Sequence, residues 1–218
     1  SICRRIVHSA NLSGDEVVLE IGPGRGALTA ILLERAAKVI AVEVDATLAD
    51  DLRSRFPGDK LKLVTGDFLK TSIVELLDQE GIAAKLRVFG NLPYNIATAV
   101  IQHLIGFRSR ISDMTLMLQR EVVDRILSPP GNKRYGYLSI VVQYYCEASR
   151  LFTVAPGAFR PVPKVYSTVA HLKVRGQPAV EVTDETFFFQ LVSASFAERR
   201  KTIQNNLKHA AARLKLND

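Results

Sequence analysis

The chain has no tryptophan and only two cysteines and two methionines. Cys3 and Cys146 lie far apart, without CxxC spacing or histidine-rich company. That excludes a disulfide framework and a cysteine-built metal site, and leaves two structural thiols. No metal ion is expected. Nowhere do eighteen uncharged apolar residues follow one another as a membrane helix requires, and no basic start leads into an apolar core as in a signal peptide. A soluble, cytoplasmic chain without membrane contact is the expectation. Internal repeats and low-complexity tracts are absent as well.

What is present is enough to build a core. At 218 residues and 47% hydrophobic content, the chain can form one large domain with a small appendage. It starts at Ser1, and "ICRRIVHSANL" reads as the middle of a helix. Further chain is therefore expected upstream, and also downstream, because the last forty residues are short for an independent domain. The net charge of +7 is unevenly spread. Residues 1–99 carry 12 Lys and Arg against 13 Asp and Glu, and residues 100–218 carry 17 against 9, so the second half alone stands at +8. Such asymmetry is the electrostatic footprint expected for a polyanion.

From residue 17 onward short β-branched runs alternate with amphipathic segments. "VVLEIG", "KVIAVEVD", "LKLVTGD", "LRVFG" and "MTLMLQ" read as strands, and "ALTAILLERA", "TLADDLRSRF", "SIVELLDQEG" and "IATAVIQHLIGF" read as the helices between them. This rhythm implies crossover units and an α/β fold with a mainly parallel sheet covered on both faces. After a helix at "YGYLSIVVQYY", the strands "EASRLFTV" and "YSTVAHLKV" flank the proline-rich "APGAFRPVPKV" and are expected to add an antiparallel pair at the sheet edge. Residues 175–185 read as a linker with Thr183 and Asp184 as helix-cap candidates. The expected division is a domain over 1–176 and a helical domain over 177–218.

The first strand ends in "EIGPGRGALT", with Gly22, Gly24 and Gly26. Glycines at a strand-to-helix turn let backbone approach a ligand, and the helix start offers free N–H donors. The pattern alone satisfies both GxGxG and the dinucleotide form GxGxxA. Glu43 follows Gly22 by 21 residues at the end of the second strand, where a carboxylate can accept both ribose hydroxyls. Asp67 ends the third strand and Asn91 follows the fourth. In a doubly wound sheet, successive carboxyl ends share one crevice, so Gly22, Glu43, Asp67 and Asn91 are expected to line one cofactor slot. An acid after the third strand suits an adenine amino group. "NLPY", residues 91–94, has no role in hydride transfer but has one in methyl transfer.

The exocyclic amine of adenine is a poor nucleophile because its lone pair is delocalised into the ring. Two acceptors, the Asn91 side-chain oxygen and the Leu92 carbonyl, would favour a tetrahedral nitrogen and stabilise the positive charge it develops. Pro93 fixes the chain that presents the carbonyl, and Tyr94 offers a face for a flipped base.

These residues carry a resemblance. "EIGPGRGALT", "VEVD", "TGDF", "GNLPYNI", "MLQREVVDRI", "YGYLSIVVQYY" and "AFRPVPKVYS", in this order, resemble the ribosomal RNA adenine N6,N6-dimethyltransferases, the kasugamycin-resistance family of small-subunit rRNA modifiers. The resemblance implies a class I methyltransferase fold with a seven-stranded Rossmann-like sheet and a helical C-terminal domain. It implies S-adenosyl-L-methionine as cofactor, and dimethylation of two adjacent adenosines in a hairpin near the 3′ end of small-subunit (16S) rRNA. Donor contacts then fall on Gly22, Gly24, Gly26, Glu43, Asp67 and Asn91, and target-adenine contacts on Asn91, Leu92, Pro93, Tyr94 and Phe159. The implied partner is rRNA within a partly assembled 30S particle, met by a monomer. Arg120, Arg125, Lys133, Arg134, Arg160 and Lys164 are candidate phosphate contacts, joined by "ERRK" at 198–201 and by Lys208, Arg213 and Lys215. Gln119 and Glu121 are expected to hold the turn into the following helix. Rival readings are a large-subunit rRNA methyltransferase of the macrolide-resistance type and a non-catalytic RNA-binding assembly or transcription factor on the same fold. A nicotinamide-dependent dehydrogenase is disfavoured by the lack of a Tyr-x-x-x-Lys motif.

Overall fold

The structure, a computed structural model, describes residues 1–218 apart from Pro161, Arg199 and 215–218, and gives the backbone but not the side chain of Arg213. The elements follow one another as α1 (Ile2–Ala10), β1 (Val17–Ile21), α2 (Ala27–Arg35), β2 (Lys38–Glu43), α3 (Ala46–Arg55), β3 (Leu61–Thr65) and α4 (Ile73–Gln79). Next come β4 (Leu86–Asn91), α5 (Ala97–Gly106), β5 (Ile111–Gln119), α6 (Arg120–Ile126), α7 (Tyr137–Tyr145), β6 (Cys146–Val154), β7 (Ser167–Val174), α8 (Glu185–Ser195) and α9 (Ile203–Leu214). The alternation of strand and helix expected from the hydrophobic pattern is present.

The seven strands form one sheet in the order β3-β2-β1-β4-β5-β7-β6. The first five are parallel to one another, and β7 runs antiparallel to both neighbours. Of the expected antiparallel pair, the later strand β7 joins the sheet and the earlier strand β6 becomes the edge. Strand order reverses at β1, which lies between β2 and β4, so the crevice of the fold opens there.

Alternate residues of each central strand feed the two faces. Leu19, Ile21, Ile40, Val42 and Val88 enter one cluster with residues of α4, α5 and α7, while Val18, Val39, Phe89 and Met117 enter another with residues of α1 and α2. β5 begins at Ile111, three residues before its apolar run, because Asp113 is buried there as a paired charge: Arg87 Nε donates to its Oδ2 at 2.9 Å and His171 lies 3.4 Å from Oδ1. β2 ends at Glu43 because Asp45 leaves the ladder to cap α3, accepting the N–H groups of Thr47 and Leu48.

Of the two cap candidates before α8, Asp184 does the capping, accepting the Phe187 N–H at 2.8 Å. Phe188 and Phe189 of α8 lie 5.4 and 5.5 Å from the rings of Tyr144 and Tyr145, so this helix docks on the sheet's own core. α9 packs on α8 through Ala210 and Leu214 against Ala194. Among the described residues no helix is long and apolar enough to cross a membrane.

Candidate active site

The parallel register brings the expected residues to one rim. Ile21 lies beside Val42 on one side and Gly90 on the other, Glu43 lies beside Thr65, and Asn91 beside Met117. Gly22, Glu43, Asp67 and Asn91 therefore follow the carboxyl ends of adjacent strands.

The three glycines of the first loop differ. All have positive φ, at +63°, +55° and +74° for Gly22, Gly24 and Gly26. A side chain at Gly22 or Gly24 would meet nothing within 4 Å, so these two leave open space above the loop. At Gly26 a Cβ would stand 2.5 Å from Leu52 Cδ2 and 2.8 Å from Arg55 Nη2. Gly26 thus also serves the packing of α2 against α3.

Glu43 holds this loop from below. Its Oε2 accepts the Gly24 N–H at 2.9 Å and its Oε1 the Asp45 N–H at 3.0 Å, in a side chain that is nearly fully buried. A carboxylate offers about four lone-pair sites, so two remain for a ligand's hydroxyls. Beside it Val44 leaves 72% of its surface exposed, an apolar wall at the mouth of the crevice. Asp67 is exposed and caps a short helical turn, its Oδ1 accepting the Leu69 N–H at 3.0 Å. Open glycine backbone, a buried acceptor pair and an apolar wall fit a ribose-bearing, adenine-bearing cofactor.

Asn91, Leu92, Pro93 and Tyr94 line one open depression of about 300 Å³ together with Phe159, Arg160 and Pro163. The segment is pinned at each step. The Leu92 N–H donates to the Met117 carbonyl at 3.1 Å, the Leu92 side chain is buried, and the Pro93 carbonyl accepts the Ile96 N–H at 3.2 Å. Tyr94 is 36% exposed, with its hydroxyl 3.1 Å from Ser167 Oγ. Phe159 packs its half-buried ring against the α1–α2 side of the core while still facing the depression. The expected cofactor and adenine residues thus occupy neighbouring stretches of one rim.

Three residues of this region were not singled out by the sequence. Gly90 makes room for Leu92, since a Cβ there would stand 2.9 Å from Leu92 Cδ2. Ser167 is buried under Tyr94. Glu20 lies within β1, essentially without exposure, and its Oε2 lacks a hydrogen-bond partner among the described residues. Burial raises the Glu20 carboxyl to about 7, with the Thr29 hydroxyl opposing the shift and the charge of Glu43 adding to it. The signal for Glu20 was visible: one acid in an otherwise apolar "VVLEI".

The basic residues sort into several states. Arg125 pairs with Glu121 at 3.3 Å and Arg134 with Asp124 at 3.4 Å. Arg160 turns back onto the carbonyls of Gly157 and Phe159. Arg120 lies over the ring of Tyr166. Lys133, Lys164 and Lys208 are exposed, whereas Arg199, Lys215 and the side chain of Arg213 lie outside the described residues. The turn into α6 is not held as expected. Gln119 makes no side-chain cap and Glu121 is turned to Arg125, while the Arg120 N–H donates to the Tyr166 carbonyl at 3.0 Å and closes the turn through the main chain.

Burial, countered in part by Arg175 and Arg108, pushes the Cys146 thiol up to about 12, and burial likewise raises Cys3, so both free thiols are held in the protonated form. Among the described residues no group of three or more His, Cys, Asp or Glu side chains could hold a metal ion.

Comparison with known proteins places this geometry. The family model described as ribosomal RNA adenine dimethylase matches residues 1–217. "Ribosomal RNA small subunit methyltransferase A" of Geobacillus sp. (strain WCH70) is 46% identical over 209 residues, which cover 95% of this chain and 72% of that relative. A solved dimethyladenosine transferase from Plasmodium falciparum superposes with a TM-score of 0.80 at 28% identity, over 95% of this chain and 72% of that one. The structure of the 23S rRNA methyltransferase ErmE superposes with a TM-score of 0.76 at 28% identity, over 95% and 81%.

Proposed function

The chain belongs to the ribosomal RNA adenine dimethylase family, and on that premise we propose that the depression at the end of β4 holds a flipped adenine of small-subunit rRNA. The enzyme is an rRNA adenine dimethyltransferase that uses S-adenosyl-L-methionine. Its proposed substrate is the pair of adjacent adenosines in a hairpin near the 3′ end of 16S rRNA, met within a partly assembled 30S particle. The observation that carries this reading is the grouping of Asn91, Leu92, Pro93, Tyr94 and Phe159 around one depression beside the glycine loop.

When bound, S-adenosyl-L-methionine supplies an electrophilic methyl group. Gly22 and Gly24 would admit it to the backbone, Glu43 would accept from its ribose hydroxyls, Val44 and Asp67 would flank its adenine, and Asn91 would border the methyl-bearing end. Asn91 Oδ1 and the Leu92 carbonyl accept the two hydrogens of the target amine, which turns its lone pair out of the ring. The Leu92 N–H bond to Met117 and the turn closed by Pro93 fix that carbonyl in advance. Tyr94 and Phe159 supply stacking faces. No side chain acts as a strong base, and the methylated amine releases its proton to water. α8 and α9, with the basic second half of the chain, extend the surface available to rRNA.

Small-subunit specificity is preferred over the large-subunit alternative because curated relatives at 39–46% identity carry the small-subunit name. The test is methyl transfer from labelled donor to undermethylated small subunits, alongside direct measurement of donor binding. Asn91→Ala should abolish transfer while retaining measurable donor binding. Wild-type transfer by that variant would refute the adenine clamp.

A further inference from the structure

Tyr166 is the last residue before β7 and leaves 46% of its surface exposed. It belongs to neither of the two large core clusters. The Arg120 guanidinium carbon lies 5.2 Å from its ring centroid, and the Arg120 N–H donates to its carbonyl at 3.0 Å. The two residues are therefore clamped together at main chain and side chain. The next residue, Ser167, is buried and meets the hydroxyl of Tyr94. The register continues this line, with Asn91 beside Met117 and Gln119 beside Ser167. Arg120 and Tyr166 thus stand on the same carboxyl rim as the adenine depression, one and two strands further along.

Resting on the adenine-clamp reading above, we propose that the Tyr166–Arg120 pair is a stacking platform for the nucleobase adjacent to the target adenine in the RNA strand. Flipping one base removes a stacking partner from its neighbour, and an exposed aromatic ring beside the pocket replaces it. Arg120 has two uses: it covers the tyrosine ring and keeps it oriented, and its charge is presented where the intervening phosphate must pass. A stacking face is tolerant of base identity, so the platform adds affinity and sets strand direction without reading sequence.

Steady-state methyl transfer to undermethylated small subunits tests the platform, with Tyr166→Ala, Tyr166→Phe and Arg120→Gln compared against wild type. Loss of one stacked base is worth about 5- to 150-fold, and Tyr166→Ala should raise KM for the subunit within that range while kcat and donor affinity hold. Tyr166→Phe keeps the ring and should stay near wild type; Arg120→Gln should fall between. Tyr166→Ala with an unchanged KM, or Tyr166→Phe impaired as severely as Tyr166→Ala, would overturn the platform. Asn91→Ala in the same assay reports separately on the clamp, since its failure to reduce transfer would refute that reading whatever the Tyr166 variants do.

Discussion

The hydroxyl of Tyr94 lies 3.1 Å from Oγ of Ser167, tying the loop after β4 to the first residue of β7 across the intervening β5. That bond sets the plane of the ring on which the target base is proposed to stack. A typical hydrogen bond contributes about 0.5–1.5 kcal/mol net, so Ser167→Ala should lower kcat/KM for small subunits roughly 2- to 12-fold. Tyr94→Ala should lower it further. Donor affinity, measured by calorimetry, should not move in either variant.

The glycine loop separates ligand space from packing space. Gly24→Ala meets no atom and carries only the cost of a non-glycine residue at φ +55°, about 1–2 kcal/mol. It should fold and bind the donor weakly, because the new methyl group projects into the open side of the loop. Gly26→Ala meets Leu52 and Arg55 at sub-van der Waals distance and should lose more stability than Gly24→Ala. Thermal melts with and without donor distinguish the two: Gly24→Ala shows a reduced ligand-induced rise in Tm, and Gly26→Ala starts from a lower Tm than Gly24→Ala does.

Glu20 gives the fold a pH signature. Its carboxyl is raised from 4.5 to about 7 by burial, so below pH 4.5 it is protonated in both the folded and the unfolded chain. As pH rises toward 7 the unfolded chain ionises freely and the folded chain does not, which removes up to about 3 kcal/mol of stability. Glu20→Gln lacks this loss. Its stability relative to wild type, from urea denaturation, should improve between pH 5 and pH 8.

Glu16 works in the opposite direction. Burial pushes its carboxyl up, but the N–H groups of Ser13 and Gly14, each at 2.9 Å, and the Arg87 guanidinium outweigh burial and bring it to about 2. Its contribution is complete above pH 4.5 and disappears as pH falls toward 2. Glu16→Gln should destabilise the fold at pH 7, by an amount that shrinks as pH falls below 4.5 and is largely gone at pH 2, in the same denaturation measurement.

Much of the fold was legible because β-branched runs and helical periodicity alternate cleanly from residue 17. The misjudged ends have local causes: Asp113 disguised the start of β5, and Asp45 cut β2 short by capping α3. That β7 would lie inside and β6 outside could not be read, since both segments read as strands of similar length and the order comes from their pairing. At the site, residues on strand ends were legible because glycines, acids and NLPY are locally unusual. Ser167 and Gly90 were not, because a buried serine and a packing glycine acquire meaning only from the side chain of another strand or loop. The Gln119–Glu121 turn was misread for a related reason: its partner is the Tyr166 carbonyl, which no side-chain pattern announces.

The central claim concerns which atoms receive the methyl groups, and mass spectrometry of rRNA from undermethylated small subunits incubated with donor and enzyme tests it most directly. The clamp at Asn91, Leu92, Tyr94 and Phe159 predicts N6,N6-dimethylation of two adjacent adenosines near the 3′ end of the 16S rRNA, lost with Asn91→Ala. Methyl groups on a large-subunit adenosine instead, or an unchanged pattern in Asn91→Ala, would contradict it.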